Sequence, residues 1–252
     1  MKRCVRTFSA IFALVLLVTG VRTGASGYWE GNVVVSKAVE GKKRIALTFD
    51  DGPHPGRTPE ILDLLDQYGI KATFFVVGEN AAAYPDIIQR EITEGHELGN
   101  HTDTHKMLKN AGYAEIEQQI CSVEDRLLEI GEYRPKLLRP PGGLYNQNVL
   151  DFAQENCYTV VLWSIDTRDW AHTPSDKITD SVKKEAKNGD IVLMHDYIGG
   201  ASPTLKALQK LIPYLIDEGF EFVTVSELVE SCRGCRCIPV RKIEYSRLTS
   251  LR

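Results

Sequence analysis

Apolar and polar positions alternate between two rhythms along this chain. Short continuous apolar runs, bounded by charges or by Gly and Pro, read as buried strands: Ile45–Phe49, Ala72–Val77, Glu97–Asn100, Leu137–Arg139, Thr159–Trp163, Ile191–Met194 and Phe220–Val223. Between them the apolar residues recur at three and four. Ile61, Leu62, Leu64 and Leu65 form one such face, opened by Thr58 as N-cap and Pro59, and closed by Gly69. Ile116, Ile120, Val123, Leu127 and Ile130 form the longest. Further helices are predicted from Pro85 to Gly95, from about Asn146, over Ser175–Lys187, over Pro203–Asp217 with a kink at Pro213, and after Ser226 as a cap. Strand and helix thus alternate about seven times. Strands apolar on both faces, each followed by a helix, predict a parallel sheet. The fold class is α/β, and the count of about seven parallel strands fits a (β/α) barrel with fewer than eight strands better than a six-strand open sheet.

The N-terminus follows neither rhythm. Lys2, Arg3 and Arg6 precede an apolar run from Ile11 to Val18, and Thr23-Gly-Ala25 follows. This is the pattern of a signal peptide over residues 1–25, too short in its apolar part for a spanning helix. It predicts an extracytoplasmic protein, secreted or held at the cell envelope. The expected organisation is then a lead-in over 26–41, one domain over 42–231 and a basic, cysteine-containing tail over 232–252. Removing residues 1–25 takes away four basic residues (Lys2, Arg3, Arg6, Arg22) and no acidic ones, moving the formal net charge from −4 to −8. No long basic stripe remains, which argues against a nucleic-acid partner. Cys232, Cys235 and Cys237 suit a local disulfide better than a metal, since a fourth ligand is missing. Cys121 and Cys157 read as small core residues.

The chemistry gathers at strand ends, where parallel barrels place their active sites. The first strand ends on two adjacent carboxylates, Asp50 and Asp51, before Gly52-Pro53 turns the chain. Neighbouring side chains on a strand point in different directions, so the two can hold different tasks in one pocket. After the third strand come His101 and His105. Histidines at i and i+4 share one face of a helical turn and can meet one ion, with Asp51 as third ligand. Two His and one carboxylate leave a coordination position open, as a catalytic site needs. Arg139-Pro-Pro-Gly-Gly143 follows the fourth strand, where Arg139 can pair with a carboxylate and glycines let N–H groups approach a ligand. Asp166-Thr-Arg-Asp-Trp170 follows the fifth strand, and Leu193-Met-His195-Asp196 ends the sixth. His96 reads as a core histidine, His54 and His172 as loop residues near the site, and Asp103 as a support for its turn.

Thr48-Phe-Asp-Asp-Gly-Pro53, His101-x3-His105, Arg139-x-Pro141, Asp166-x2-Asp169-Trp170 and Leu193-x-His195, in this order, resemble the polysaccharide deacetylase family (carbohydrate esterase family 4, the NodB-type domain). The resemblance spans about Arg44 to Leu228 and implies a deformed, incomplete (β/α) barrel with about seven parallel strands. It implies one divalent metal on Asp51, His101 and His105, zinc first, with cobalt or nickel as substitutes. It implies Asp50 as general base, oriented by Arg139, and His195 as general acid. The carboxylate tuning His195 is Asp169, with Asp166 as second candidate. Pro141 belongs to the substrate-facing motif, and Trp170 and Leu193 line the pocket for the acetyl methyl. Many members carry an aromatic where Gly142 stands; its N–H can still meet an oxyanion, and Tyr145 can fill the space. The implied function is hydrolysis of N-acetyl groups from an extracytoplasmic glycan, peptidoglycan N-acetylglucosamine or a chitin-type oligosaccharide, with no obligate protein partner. The alternatives are an O-acetyl (xylan-type) esterase on the same scaffold and an inactive carbohydrate-binding member.

Overall fold

The computed structural model describes residues 34–39 and 41–230. In chain order the elements are β1 (Val34–Val35), β2 (Arg44–Asp50), α1 (Arg57–Gln67), β3 (Thr73–Val76), α2 (Gly78–Ala83), α3 (Pro85–Thr93), β4 (Glu97–Asn100), α4 (Tyr113–Gly131), β5 (Leu137–Leu138), α5 (Gln147–Glu155), β6 (Thr159–Val161), β7 (Ile165–Asp166), α6 (Ser175–Glu185), β8 (Asp190–His195), α7 (Thr204–Asp217), β9 (Glu221–Phe222) and α8 (Val225–Glu230). All named strands pair in parallel, in the order β1-β6-β5-β4-β3-β2-β8-β7, with β9 joining the first residues of β2. The sheet curls into an incomplete (β/α) barrel, as the alternation predicts. The seven expected strands are present; β1 and β7 are additional, each only two residues long. β1 lies inside the expected lead-in.

Alternation along the central strands sets what faces where. Ile45, Leu47 and Phe49 of β2, with Val192 and Met194 of β8, pack outward under α1, α6 and α7, where Phe49 stacks on Phe74 at 5.0 Å. Ala46 and Ile191 face the other way, into a second core with Phe75, Val161, Val223, Val225 and Leu228. By the same period Thr48 and Asp50 of β2, and Leu193 and His195 of β8, share that inner face. A third core lies under α4 and α5, built on Ile116, Ile120, Val149, Phe152 and Val160. Burying each such aliphatic or aromatic side chain contributes ~1.5–3 kcal/mol, which makes the outer cores a rigid support for polar groups within.

Four local expectations change. Residues 78–83 form a helix that the Gly- and Ala-rich sequence did not signal. Thr58 is not the N-cap of α1; Gly56 holds that position, and the Thr58 hydroxyl is buried and bonded elsewhere. The cap of α8 is Thr224 rather than Ser226: Glu227 N–H donates to Thr224 Oγ1, and Thr224 N–H to the Glu227 carboxylate. Cys121 and Cys157 are half-buried rather than fully enclosed core residues. The expected signal peptide and the Cys232–Cys237 cluster lie outside the described residues.

Candidate active site

Asp50 ends β2 and is buried on the inner face. Arg139, two residues after β5 begins, reaches across the barrel interior to it, with Nη1 donating to Asp50 Oδ1 at 2.6 Å. The guanidinium is fully buried, so each remaining donor needs a partner. Nη1 also donates to Thr48 Oγ1 at 2.8 Å, Nε to the Val161 carbonyl at 3.2 Å and Nη2 to the Leu162 carbonyl at 3.2 Å. The plane lies over Phe75, 4.0 Å from its centroid. One Asp50 oxygen is therefore fixed by Arg139; the other faces His101, 3.7 Å from Nε2.

Asp51 does not continue the strand. Its φ of 76° is left-handed, so the chain swings its carboxylate back towards the pocket. There Oδ1 lies 3.3 Å from His101 Nε2 and 3.1 Å from His105 Nε2, and these three atoms all lie within 4.8 Å of one another. The two histidines are not on a helical turn, as their spacing suggested. Thr102 and His105 both have positive φ, at 68° and 55°. Asn100 and Gln119 shape this loop instead: Asn100 Oδ1 accepts from Thr102 N–H, and Gln119 Oε1 from Asp103 and Thr104 N–H. Asp103 pairs with Arg126 at 2.9 Å, in the supporting role expected of it.

The His101 tautomer follows from its partner. Nδ1 lies 2.7 Å from the Arg139 carbonyl oxygen, which can only accept, so Nδ1 carries the proton and Nε2 offers its lone pair to the Asp51 side. Asp51 Oδ1 is buried and has no hydrogen-bond partner among the described residues. Burial pushes the Asp51 carboxyl up, but His101 and His105 outweigh it and hold it well below the usual carboxylate range. A carboxylate oxygen and imidazole nitrogens converging on one point, with the oxygen lacking a donor, fit a divalent cation accepting N and O ligands.

His195 ends β8 and faces the same pocket. Its Nδ1 donates to Asp169 Oδ1 at 2.8 Å, and its backbone N–H to Asp169 Oδ2 at 2.8 Å. Asp169 is fully buried and also accepts from Thr204 Oγ1 at 2.7 Å and Trp170 N–H at 2.9 Å. Burial lowers the His195 pKa, but Asp169 and then Asp50 raise it further, to about 9. Asp166, the second candidate for this role, is exposed, and its carboxylate accepts from Arg168 N–H at 2.9 Å. It closes a turn and does not meet His195.

The expected substrate-facing residues divide. Pro141 is buried, and Gly142 sits in a tight turn at φ 63°. Gly143 and Leu144 N–H close that turn onto the Pro140 and Pro141 carbonyls, and neither bond uses the Gly142 N–H. Tyr145 packs half-buried against the α4–α5 core. The space beside Gly142 is taken by Met107, whose Cε would lie 3.1 Å from a Cβ at that position. Met107 is exposed and was not singled out in the sequence. Leu193 is buried, whereas Trp170 is half exposed, which excludes an ordinary core role for it. His54 caps the start of α1, its Nδ1 accepting from Gly56 and Arg57 N–H, and packs edge-on to Tyr197 at 4.9 Å. His96 is buried, as expected, and His172 meets the Ala201 carbonyl at 3.1 Å.

The chain has known relatives. The family of polysaccharide deacetylases matches residues 37–161. A peptidoglycan-N-acetylglucosamine deacetylase of Bacillus cereus is 45% identical over 190 residues, covering 75% of this chain and 89% of that protein. A chitooligosaccharide deacetylase of Bradyrhizobium sp. is 38% identical over 202 residues, covering 75% of this chain and 92% of its own. The crystal structure of a peptidoglycan N-acetylglucosamine deacetylase matches with a TM-score of 0.77 and 39% identity, covering 80% of this chain and 94% of that one. This chain belongs to the polysaccharide deacetylase family.

Proposed function

We propose that this protein is a metal-dependent hydrolase that removes N-acetyl groups from an extracytoplasmic glycan. The observation that carries the reading is the division of labour around the Asp51–His101–His105 cluster. Asp50 is locked by Arg139 and His195 by Asp169, so two proton-handling groups stand fixed beside one set of metal ligands. A divalent ion held by Asp51, His101 and His105 would supply the Lewis acidity that polarises the acetyl carbonyl. Zinc suits the N and O donors, with cobalt or nickel as substitutes.

The chain's own groups do the rest. Asp50, with one oxygen engaged by Arg139, presents the other to the attacking water and accepts its proton. The Gly142 N–H meets the oxyanion as the carbonyl carbon becomes tetrahedral. An amine is a poor leaving group unless protonated, and His195, raised to about 9, still carries a proton at neutral pH to give it. Acetate leaves and a free amine remains on the sugar. Leu193 and Trp170 wall the acetyl pocket.

Peptidoglycan N-acetylglucosamine is the first substrate and chito-oligosaccharide the second, following the activities named for the Bacillus cereus and Bradyrhizobium relatives. An extracytoplasmic place suits both, and residues 1–25 carry the charge and apolar pattern of a cleaved export signal. The catalytic unit then spans 42–231, with Val34 and Val35 of β1 paired to it through β6. Acetate release should be measured on peptidoglycan, chito-oligosaccharides and acetylated xylan, before and after exhaustive chelation. Release from the N-acetyl glycans, lost on chelation and restored by zinc, is expected. Release from xylan alone would make it an esterase, and no release from any would leave a binding domain.

A further inference from the structure

Asp51 is held in a backbone conformation that a non-glycine residue rarely adopts, and such strain persists only where the surroundings enforce it. Two restraints are backbone contacts. Asn80 Nδ2 donates to the Asp51 carbonyl at 2.7 Å, and Val77 N–H to the Gly52 carbonyl at 2.9 Å. A third comes from the opposite side of the turn. Asp196, the residue after His195, is fully buried and presses its carboxylate against Gly52 so closely that a Cβ there would collide with both oxygens. Its Oδ2 accepts from the buried Thr58 hydroxyl at 2.5 Å, and Thr58 Oγ1 in turn accepts from His54 N–H at 2.8 Å. Its own N–H donates to the Asp50 carbonyl at 3.3 Å. One side chain thus joins the end of β8, the start of α1 and the turn that carries Asp51. None of the deacetylation steps uses it.

We propose that Asp196 is a positioning residue of the metal centre: its carboxylate, seated by Thr58, fills the space over Gly52 and holds the Asp51 turn in its ligand-presenting conformation. This rests on the reading of Asp51, His101 and His105 as metal ligands. The action is through shape and one hydrogen bond, not through charge. It also explains why position 52 is glycine, since any larger residue would displace the Asp196 carboxylate.

The test is the zinc dissociation constant of chelated, refilled protein, measured by competition with a chromophoric chelator, with no substrate present. Asp196→Ala vacates the seat and should weaken zinc binding by ~10-fold or more, the cost typical of losing an outer-shell partner. Asp196→Asn keeps the shape and an oxygen for Thr58, so it should stay within about threefold of wild type on the same scale. Thr58→Val keeps the helix and removes only the hydroxyl; it should fall between the two, and it serves if Asp196→Ala does not fold. Wild-type affinity in Asp196→Ala, or in Thr58→Val where the alanine variant is unfolded, would overturn the assignment. So would an equal loss in Asn and Ala, which would make charge the agent. A wild-type protein that takes up no zinc would overturn the metal reading and this one together, whereas tight zinc binding by every variant overturns this one alone.

Discussion

Asp50 and His195 are direct partners in the parallel β2–β8 pairing, the last register position the two strands share. Each ends its strand on the same inner face, and each is gripped by a different buried residue, Arg139 for Asp50 and Asp169 for His195. The proposed base and the proposed acid, placed at one rung of the sheet, cannot drift apart without breaking the central pairing of the fold. The sheet therefore sets the distance between them, while the segments after β2 and β4 carry Asp51, His101 and His105.

That separation predicts different failures for the two adjacent aspartates. Asp50→Asn keeps the size and polarity of the side chain but cannot take a proton as the carboxylate does. It should retain zinc and lose at least ~10²-fold in rate, the low end for a general base. Asp51→Asn removes a charged ligand, so zinc content should fall and added zinc should restore part of the activity. Elemental analysis beside rates at rising zinc checks both. Metal loss in Asp50→Asn with retention in Asp51→Asn would reverse the assignment.

The sequence revealed this site unevenly, for physical reasons. β2 and β8 were legible because they are buried on both faces, and such runs stand out from amphipathic helices. β1 and β7 were not read as strands, although β5 and β9, equally two residues long, were. His101 and His105 were found by spacing, but their helical turn was not there. The positive φ values at Thr102 and His105 depend on Asn100 and on Gln119 from α4, contacts invisible to a local pattern. Thr58 had the composition of a cap, yet a tertiary partner, Asp196, claims its hydroxyl. Asp169 was the first candidate beside His195 and Asp166 the second, on motif position alone. The end of β7 leaves Asp166 outside, and the next turn takes Asp169 inside.

Arg139 should not tolerate its nearest relative in charge. Its fork meets Asp50, Thr48 and two carbonyls at once, in a fully buried place. Lysine carries the charge but not the planar fork, so several of these acceptors lose their donor. Arg139→Lys is expected to cost on the order of 3 kcal/mol in stability, as for breaking a buried pair, and to reduce kcat more than KM. Denaturant unfolding and steady-state kinetics test this. Wild-type stability and kcat together would show that the buried network is dispensable.

His96 gives the fold an acid limit that does not involve the active site. Its Nδ1 accepts from Ala72 N–H at 3.2 Å, so the buried ring is neutral. Burial, followed by Lys71, lowers its pKa to about 4. The unfolded chain then binds a proton that the folded chain refuses as pH falls from about 6.5 to about 4. Stability is full above that window and declines within it, by at most ~3 kcal/mol from this residue. His96→Gln should flatten the fall in Tm over the same range. An acid limb of unchanged steepness in the variant would assign the loss to other groups.

The last prediction concerns the Asp169–His195 pair, where stability and activity respond to pH in linked ways. The folded His195 pKa, about 9, lies above the unfolded value near 6.5. The folded state therefore binds the extra proton, and the stabilisation is fully present below 6.5 and lost as pH rises through about 9. In the proposed mechanism the same proton is the one handed to the amine, so rate should fall on the alkaline side as His195 loses it. Asp169→Asn removes the first group that raises this pKa while keeping an oxygen to accept from Nδ1. Two effects should appear together: kcat falls, and the alkaline limb of its pH profile moves to lower pH. Zinc content should remain as in wild type, because Asp169 touches none of Asp51, His101 or His105. Rates across pH 5 to 10, taken at saturating substrate with metal content measured in parallel, decide it. A lower rate with an unmoved alkaline limb would mean that Asp169 orients the ring but does not set its proton affinity. A limb that moved with loss of zinc would place the change at the metal instead of at His195.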